Sequence, residues 1–333
     1  MSDRDIKPLF TLANVCAAML VFALADSAEA QLPPPQPPFE SMPSAFDGSQ
    51  PGSIASAAEP FQSQTAPALA APSSPWCPDC PWTFEFLPDG LLYKSYLAGE
   101  KEPRFSGALL YDTQGATYLD AALGGRVGIF RYGTRGRRSP QGWQLDLEGA
   151  AFPRLNVDEN SDLDSADFRI GVPLTFRNGP LGVKFGYYHI SSHVGDEFLA
   201  RNPGFVRVNY VRDSLLYGLA YDVNPDLMIY GEVAYAFGVS GGAEPWEFQF
   251  GAEYSPVFAI CPYGAPFLAV NGHLREEVDF GGSVNVIGGW EWRNRRSDRQ
   301  LRVGVQYFNG KSSQYAFFTQ HEELIGVGIW FDY

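Results

Sequence analysis

The chain has 333 residues, of which 15% are aromatic, with 35 glycines, 26 prolines and a formal net charge of -14. This length is sufficient for one large domain or two ordinary ones. The acidic balance suggests no surface built for binding nucleic acid, and we interpret the Arg-rich stretches at 131–139 and 293–299 as solvated turns.

The N-terminal residues 1–30 have the pattern of a secretory signal peptide. An apolar run, LFTLANVCAAMLVFALA, follows Lys7, and Ala28 and Ala30 fit the small-residue pattern of a cleavage site. Cleavage after Ala30 would produce an exported chain. A retained membrane anchor is the alternative, because acidic residues offset the positive charge expected before the apolar run.

The next segment, residues 31–81, is rich in Pro, Ala, Ser and Gln, and we expect a disordered periplasmic spacer. Cys77 and Cys80 have CxxC spacing near its end, but no second pair follows, which argues against a zinc knuckle. A local bridge between these two cysteines, a disulfide to Cys261 and a redox site are the open alternatives.

From about residue 104 the sequence repeats segments of about ten residues in which apolar and polar side chains alternate. In ADFRIGVPLTFR (166–177) the apolar residues share one face, and Asp167, Arg169 and Arg177 share the other. A soluble sandwich needs no charges along its whole polar face, whereas a barrel lumen accepts them. The pattern therefore predicts an all-β fold, a transmembrane antiparallel β-barrel over residues 82–333.

Counting the segments gives about twelve strands, an even number that puts both ends of the barrel on the periplasmic side. The tight turns at 177–180 and 224–226 are then periplasmic, and the longer loops at 153–166 and 194–207 are extracellular. The last strand, IGVGIWFDY, ends in an aromatic residue. Such an ending resembles the signal by which the barrel assembly machinery recognises outer-membrane barrels.

The stretch YYHISSHVGDEF (187–198) places polar side chains on an otherwise apolar face. His189 and Ser191 have the parity of the lipid-facing row on the outward-running strand. On the returning strand, Asp213 also has the apolar parity, where a carboxylate is costly unless it has a partner. If the connecting loop is centred near residue 201, Asp213 lies opposite His189.

These three residues have the chemistry that nucleophilic catalysis needs. His189 takes the proton of Ser191, and Asp213 orients the imidazole and stabilises its charged form. The backbone N–H groups near Ser192 and Gly195 are candidate donors to the oxyanion. The substrate would be a lipid ester presented by the membrane.

The sequence YHISSH, with its HxS core, resembles the catalytic motif of two outer-membrane barrel esterase families, outer-membrane phospholipase A and lipid A 3-O-deacylase. The resemblance implies that His189 is the base and Ser191 the nucleophile, both on the lipid-facing surface. Ser192 stands where both families have Asn.

A second resemblance covers the chain from about residue 84 to its end. LPDGLLYKSYLAGEKEPRFS (87–106), the HxSSHxGDE block, MIYGEVAYAF and PFLAVNGHLREE are similar to a bacterial family of secreted or outer-membrane proteins, described only as a domain of unknown function. This resemblance implies a barrel and gives no activity.

A non-enzymatic barrel is the main alternative function. Such a barrel would conduct solutes or scaffold the envelope through its lumen, using residues such as Arg126, Glu148, Lys184 and Glu232.

The end of the polar stretch also allows a different interpretation. His193, Asp196 and Glu197 would form a loop cluster that is hydrogen-bonded or holds a divalent cation such as calcium, and Glu197 is an alternative third member of the catalytic set. His273 and His321 are expected in solvated outer loops.

Overall fold

The computed structural model describes residues 81–135, 140–259, 262–294 and 299–333. The predicted signal peptide, all but the last residue of the predicted spacer, and the three candidate disulfide cysteines, Cys77, Cys80 and Cys261, lie outside the described residues. None of the described helices is long and apolar enough to cross a membrane.

The described chain consists almost entirely of β-strands. They are β1 (Trp82–Phe86), β2 (Phe105–Asp112), β3 (Thr117–Thr134), β4 (Gly142–Asn156), β5 (Asp162–Asn178), β6 (Leu181–Val194), β7 (Val211–Asn224), β8 (Leu227–Ser240), β9 (Trp246–Tyr254), β10 (Ala265–Arg275), β11 (Gly282–Arg293), β12 (Gln300–Lys311) and β13 (His321–Asp332). A short helix, α1 (Asp196–Arg201), lies between β6 and β7, and the 3-10 turns are Glu276–Val278 and Tyr315–Phe317.

Strands β2 to β13 close into a twelve-stranded antiparallel barrel, because each pairs with the next and β13 pairs with β2. Strand β1 is an additional strand that pairs with the end of β3. The predicted fold class, an antiparallel transmembrane-type barrel of about twelve strands, is confirmed. Closure gives every barrel strand two neighbours, as a chain in lipid requires.

The predicted alternation of outward apolar and inward polar side chains is clear on β5. Phe168, Ile170 and Val172 are exposed on the outer surface, whereas Asp167 and Arg177 are buried in the lumen. Strand β3 does not keep one alternation along its length: from the exposed Val127, period two would place Ile129 outward, but Phe130 is exposed instead. Its pairing with β4 shifts between Gly128 and Phe130, and such a bulge moves the following side chains to the opposite face.

The prediction of a long outer loop over residues 153–166 is wrong in its extent. Strand β4 continues to Asn156 and β5 begins at Asp162. Arg154 explains the extension, because its inward guanidinium donates hydrogen bonds to Asp120 at 2.7 Å and to Glu322 at 2.6 Å. Buried ion pairs thus continue the strands beyond their apolar part.

Residues 87–104 leave the wall between β1 and β2 and enter the barrel, and we call them the lumen segment. Leu92, Tyr93 and Tyr96 of this segment are fully buried. The Tyr96 hydroxyl donates to Glu232 on the wall at 3.1 Å, and Arg302 donates to the carbonyl of Leu97 at 3.3 Å. The lumen segment therefore packs against the inside of the barrel wall.

Charged side chains line the lumen in pairs. Lys184 and Glu232 lie 2.5 Å apart, and the Arg126 guanidinium lies 2.8 Å from Asp146 and 3.9 Å from Glu148. The predicted lumen residues therefore do face inward, where their opposite charges offset each other.

The prediction of an outer loop around His273 is wrong, whereas His321 is exposed at the start of β13. Strand β10 continues to Arg275, so His273 points into the lumen. Its imidazole contacts Glu247 on the wall and lies 4.0 Å from Glu100 of the lumen segment. The outer turn that follows is correspondingly short.

Candidate active site

His189 and Ser191 lie on the outer surface of the barrel, near the end of β6 that leads into α1. The neighbouring positions of opposite parity, Ile190 and Ser192, are buried in the lumen. Further down the same outward row, Phe185 is exposed. The two polar side chains thus share one outward face, as period-two alternation requires, and they interrupt an otherwise apolar outer surface.

Asp213 on β7 is the direct cross-strand neighbour of His189. Its Oδ1 lies 2.9 Å from Nδ1 of the imidazole, and the two side chains remain 31% and 34% exposed. A neutral imidazole that donates from Nδ1 has Nε2 free to accept a proton. The pairing fixes the ring in the orientation that a general base needs.

Ser191 follows His189 on the same face of β6, about 6.6 Å further along the strand. Phe168 of β5 and Val211 of β7 are its cross-strand neighbours. Within the described part of the chain, no hydrogen bond joins the hydroxyl of Ser191 to His189. In enzymes without substrate such contacts are often long and tighten only in the complex.

Gly238 on β8 leaves room for the carboxylate of Asp213. The two residues are cross-strand partners, and the β7–β8 pairing shifts immediately after them. A Cβ at position 238 would lie 3.0 Å from Oδ2 of Asp213, closer than ordinary contact. Bulges frequently occur beside active sites, where they redirect side chains.

Tyr187 is a member of the site that the sequence reasoning missed. Its hydroxyl donates to Oδ1 of Asp213 at 2.7 Å, the same oxygen that His189 contacts. The available signal was its parity, because Tyr187 precedes His189 by two residues and shares its face. The sequence pattern places an aromatic residue in the apolar row and does not indicate that its hydroxyl forms a hydrogen bond.

The predicted oxyanion donors are wrong. The backbone N–H of Ser192 donates to the carbonyl of Tyr210 at 3.0 Å, and that of Gly195 donates to the carbonyl of Asp164 at 2.8 Å. Both groups are held in the backbone hydrogen bonds that continue the barrel above the site, so neither is free to bind an oxyanion.

The predicted loop cluster does not assemble into a metal site. His193 is exposed at the end of β6 with its ring 5.8 Å from that of Phe168, whereas Asp196 and Glu197 lie in the first turn of α1. Across the described ranges, no group of three or more His, Cys, Asp or Glu side chains could hold a metal ion. The carboxylate that contacts His189 is Asp213, not Glu197.

Residues 44–333 match the sequence model of DUF1207, a family of proteins of unknown function. The chain belongs to the DUF1207 family. This confirms the predicted resemblance to a family of unknown function, and it extends the match into the predicted spacer. Among curated proteins, none matches this chain.

Several solved barrels have a similar fold. Outer membrane phospholipase A from Escherichia coli is 14% identical to this DUF1207 chain, with a TM-score of 0.47 over 69% of this chain and 91% of that one. The calcium-bound outer membrane phospholipase dimer of Salmonella typhi is 13% identical, with a TM-score of 0.44 over 69% and 91%. KdgM porin is 10% identical, with a TM-score of 0.39 over 69% and 98%.

Proposed function

We propose that this protein is an outer-membrane esterase that hydrolyses acyl esters of lipids. Ser191 is the nucleophile, His189 the general base and Asp213 the acid that orients the imidazole. One observation carries the proposal: the 2.9 Å contact between His189 and Asp213 lies on the outer face of the barrel, next to a serine on the same face. A polar pair on that face is costly without a function.

The chemistry follows from these positions. Nε2 of His189 takes the proton of Ser191 as Oγ attacks the ester carbonyl, and it then gives that proton to the departing alcohol of the lipid. Water attacks the acyl-serine in the same way, which releases the fatty acid and restores the serine. Asp213 stays ionised throughout and stabilises the imidazolium.

The height of the site fits an ester in the outer leaflet. Ser191 lies ten residues above Leu181, the first residue of β6. At about 3.3 Å per residue and a tilt of about 40°, this separation is about 25 Å along the barrel axis, close to the height of a lipid-facing apolar band. The hydroxyl thus lies near the boundary where acyl esters are found, and the exposed Leu215 and Leu219 below it offer a surface for the acyl chain.

Calcium was the divalent cation considered for the loop cluster, but His193, Asp196 and Glu197 do not come together as a group of ligands. The carboxylates near Ser191 are spread over β7 and α1, and no suitable group of ligands forms within the described ranges. We therefore assign the proton transfers to His189 and derive no step through a metal ion.

Of the two non-enzymatic alternatives, a solute pore and a structural envelope barrel, the pore has less support than the esterase. The lumen segment fills part of the barrel interior, and its buried Tyr93 and Tyr96 contact the wall residues Lys184 and Glu232. An open conduit would require the lumen segment to move out of the barrel, and its contacts with the wall would then be lost.

The remaining assignments belong to the same proposal. Residues 1–30 direct export, residues 31–81 form a periplasmic spacer, and the barrel from residue 82 is inserted into the bacterial outer membrane by the barrel assembly machinery. Membrane lipid is then both the surroundings of the barrel and its substrate.

The test is release of fatty acid by the refolded protein. We expect the folded parent to release fatty acid from phospholipid vesicles or from lipopolysaccharide, each tested separately and with calcium present or chelated, because the site faces the lipid. Folding is checked by heat-modifiable gel mobility. A folded parent that releases nothing from either lipid contradicts the proposed function.

A further inference from the structure

The carboxylate of Asp213 accepts two hydrogen bonds at one oxygen. The Tyr187 hydroxyl donates to Oδ1 at 2.7 Å, and Nδ1 of His189 lies 2.9 Å from the same atom. Both partners come from the outward face of β6, whereas Asp213 stands on β7. The tyrosine and the histidine therefore hold the carboxylate from the same side.

An ionised carboxylate on a lipid-facing surface needs such donors. Without hydrogen bonds it loses the solvation of water and gains nothing in return, so it protonates or turns away. Strand β8, on the other side of Asp213, pairs Gly238 with it, and the nearby Phe237 ring lies 6.2 Å from that of Tyr187; neither residue is charged. Among the described residues, Tyr187 and His189 are thus the groups that hydrogen-bond to the carboxylate.

We propose that Tyr187 is a positioning residue of the candidate esterase, which keeps Asp213 ionised and directed at Nδ1 of His189. This inference rests on the proposed function. Tyr187 acts through Asp213, keeps its own proton and does not touch the reacting ester. Its role is to keep the proton of a neutral His189 on Nδ1, so that Nε2 can accept the proton of Ser191.

Chain geometry distinguishes this role from that of an ordinary interfacial tyrosine. Tyr217 lies on the outward face of β7, opposite Phe185, and is exposed to a similar degree. Tyr187 is directed at Asp213, whereas no hydrogen bond joins Tyr217 to Asp213 in the described structure. Tyr217→Phe is therefore a matched control, because it also removes a tyrosine hydroxyl from the outer face of the barrel.

The kinetic test compares Tyr187→Phe with Tyr217→Phe in fatty-acid release. We expect Tyr187→Phe to lower kcat about 10- to 100-fold with KM unchanged, because a hydrogen bond to a charged group is lost while the ring remains. The acidic limb of the pH profile of kcat should move to higher pH. The reason is that the ionised form of Asp213 is less stabilised once its carboxylate has lost a donor. Equal kcat values and equal pH profiles in the two variants overturn the proposal.

A second readout does not depend on activity. The chain has four histidines, so the spectrum of protein labelled with 15N-histidine has few signals, and His189→Gln identifies the one of interest. We expect the neutral His189 ring to carry its proton on Nδ1 in the parent and in Tyr217→Phe. In Tyr187→Phe a larger fraction should carry it on Nε2.

The two readouts separate the two claims. If the folded parent releases no fatty acid but the tautomer still depends on Tyr187, the esterase function fails and the positioning of Asp213 by Tyr187 stands. If the parent hydrolyses lipid and neither kcat nor the tautomer responds to Tyr187→Phe, the esterase stands and the role of Tyr187 is refuted.

Discussion

We expect Ser191→Ala to lower the rate of fatty-acid release by about 10³-fold or more, because the variant has no hydroxyl to attack the ester. His189→Ala should cause a similar loss, since His189 is the base that takes the serine proton in the proposed function. Because nucleophile and base act as a unit, the double variant should be no slower than either single one. The rates are measured on phospholipid and on lipopolysaccharide.

Ser192→Ala is the matched control for this prediction. Ser192 lies next to the nucleophile but points into the lumen, and its buried Oγ has no hydrogen-bond partner in the described structure. Removing that oxygen should keep the rate within about twofold of the parent value, because no hydrogen bond is lost with it. A parent-like rate in folded Ser191→Ala would refute the assigned nucleophile.

The second large effect concerns the stability of the barrel. We expect Glu247→Ala to lower the free energy of unfolding by about 3–5 kcal/mol, because it removes one partner from a buried group of charges. Glu247 contacts His273, accepts a hydrogen bond from Tyr188 at 2.8 Å and lies 3.2 Å from Arg212. Arg212 and His273, both buried, would lose the carboxylate that they share. Urea unfolding of the refolded protein in lipid vesicles measures the change.

Glu244→Ala serves as its control. Glu244 is exposed in the turn before β9, and its backbone carbonyl, which accepts from Arg212, is retained in the variant. Its unfolding free energy should stay within about 0.5 kcal/mol of the parent value. A Glu247→Ala barrel as stable as Glu244→Ala would show that the lumen charges do not hold the wall in place.

Much of the barrel is predictable from the sequence because one force dominates each face. Lipid requires apolar side chains outside and the lumen accepts charges, so period-two alternation identifies β5 and the strand count follows. The site follows from the same parity, since His189, Ser191 and Asp213 share the outward rows. Their pairing across the strands also agrees with a loop centred near residue 201.

What the sequence does not reveal depends on contacts between distant segments. The lumen segment has no alternation, and its burial comes from partners such as Glu232, Asn285 and Arg302 far along the chain. The bulge at Ile129 and the length of β4 likewise depend on neighbouring strands. Tyr187 was missed because parity assigns it to lipid, and only the structure shows its hydroxyl on Asp213.

The most direct test of the central claim is covalent labelling of the refolded parent with hexadecanesulfonyl fluoride, followed by mass spectrometry of its peptides. In an esterase of this kind Oγ of Ser191 attacks the sulfonyl sulfur, His189 takes the proton and fluoride leaves. We predict one sulfonyl group on the peptide that contains Ser191, assigned to that residue by fragmentation, and none in His189→Ala. A folded parent that stays unlabelled at Ser191, or is labelled equally in His189→Ala, would contradict the account.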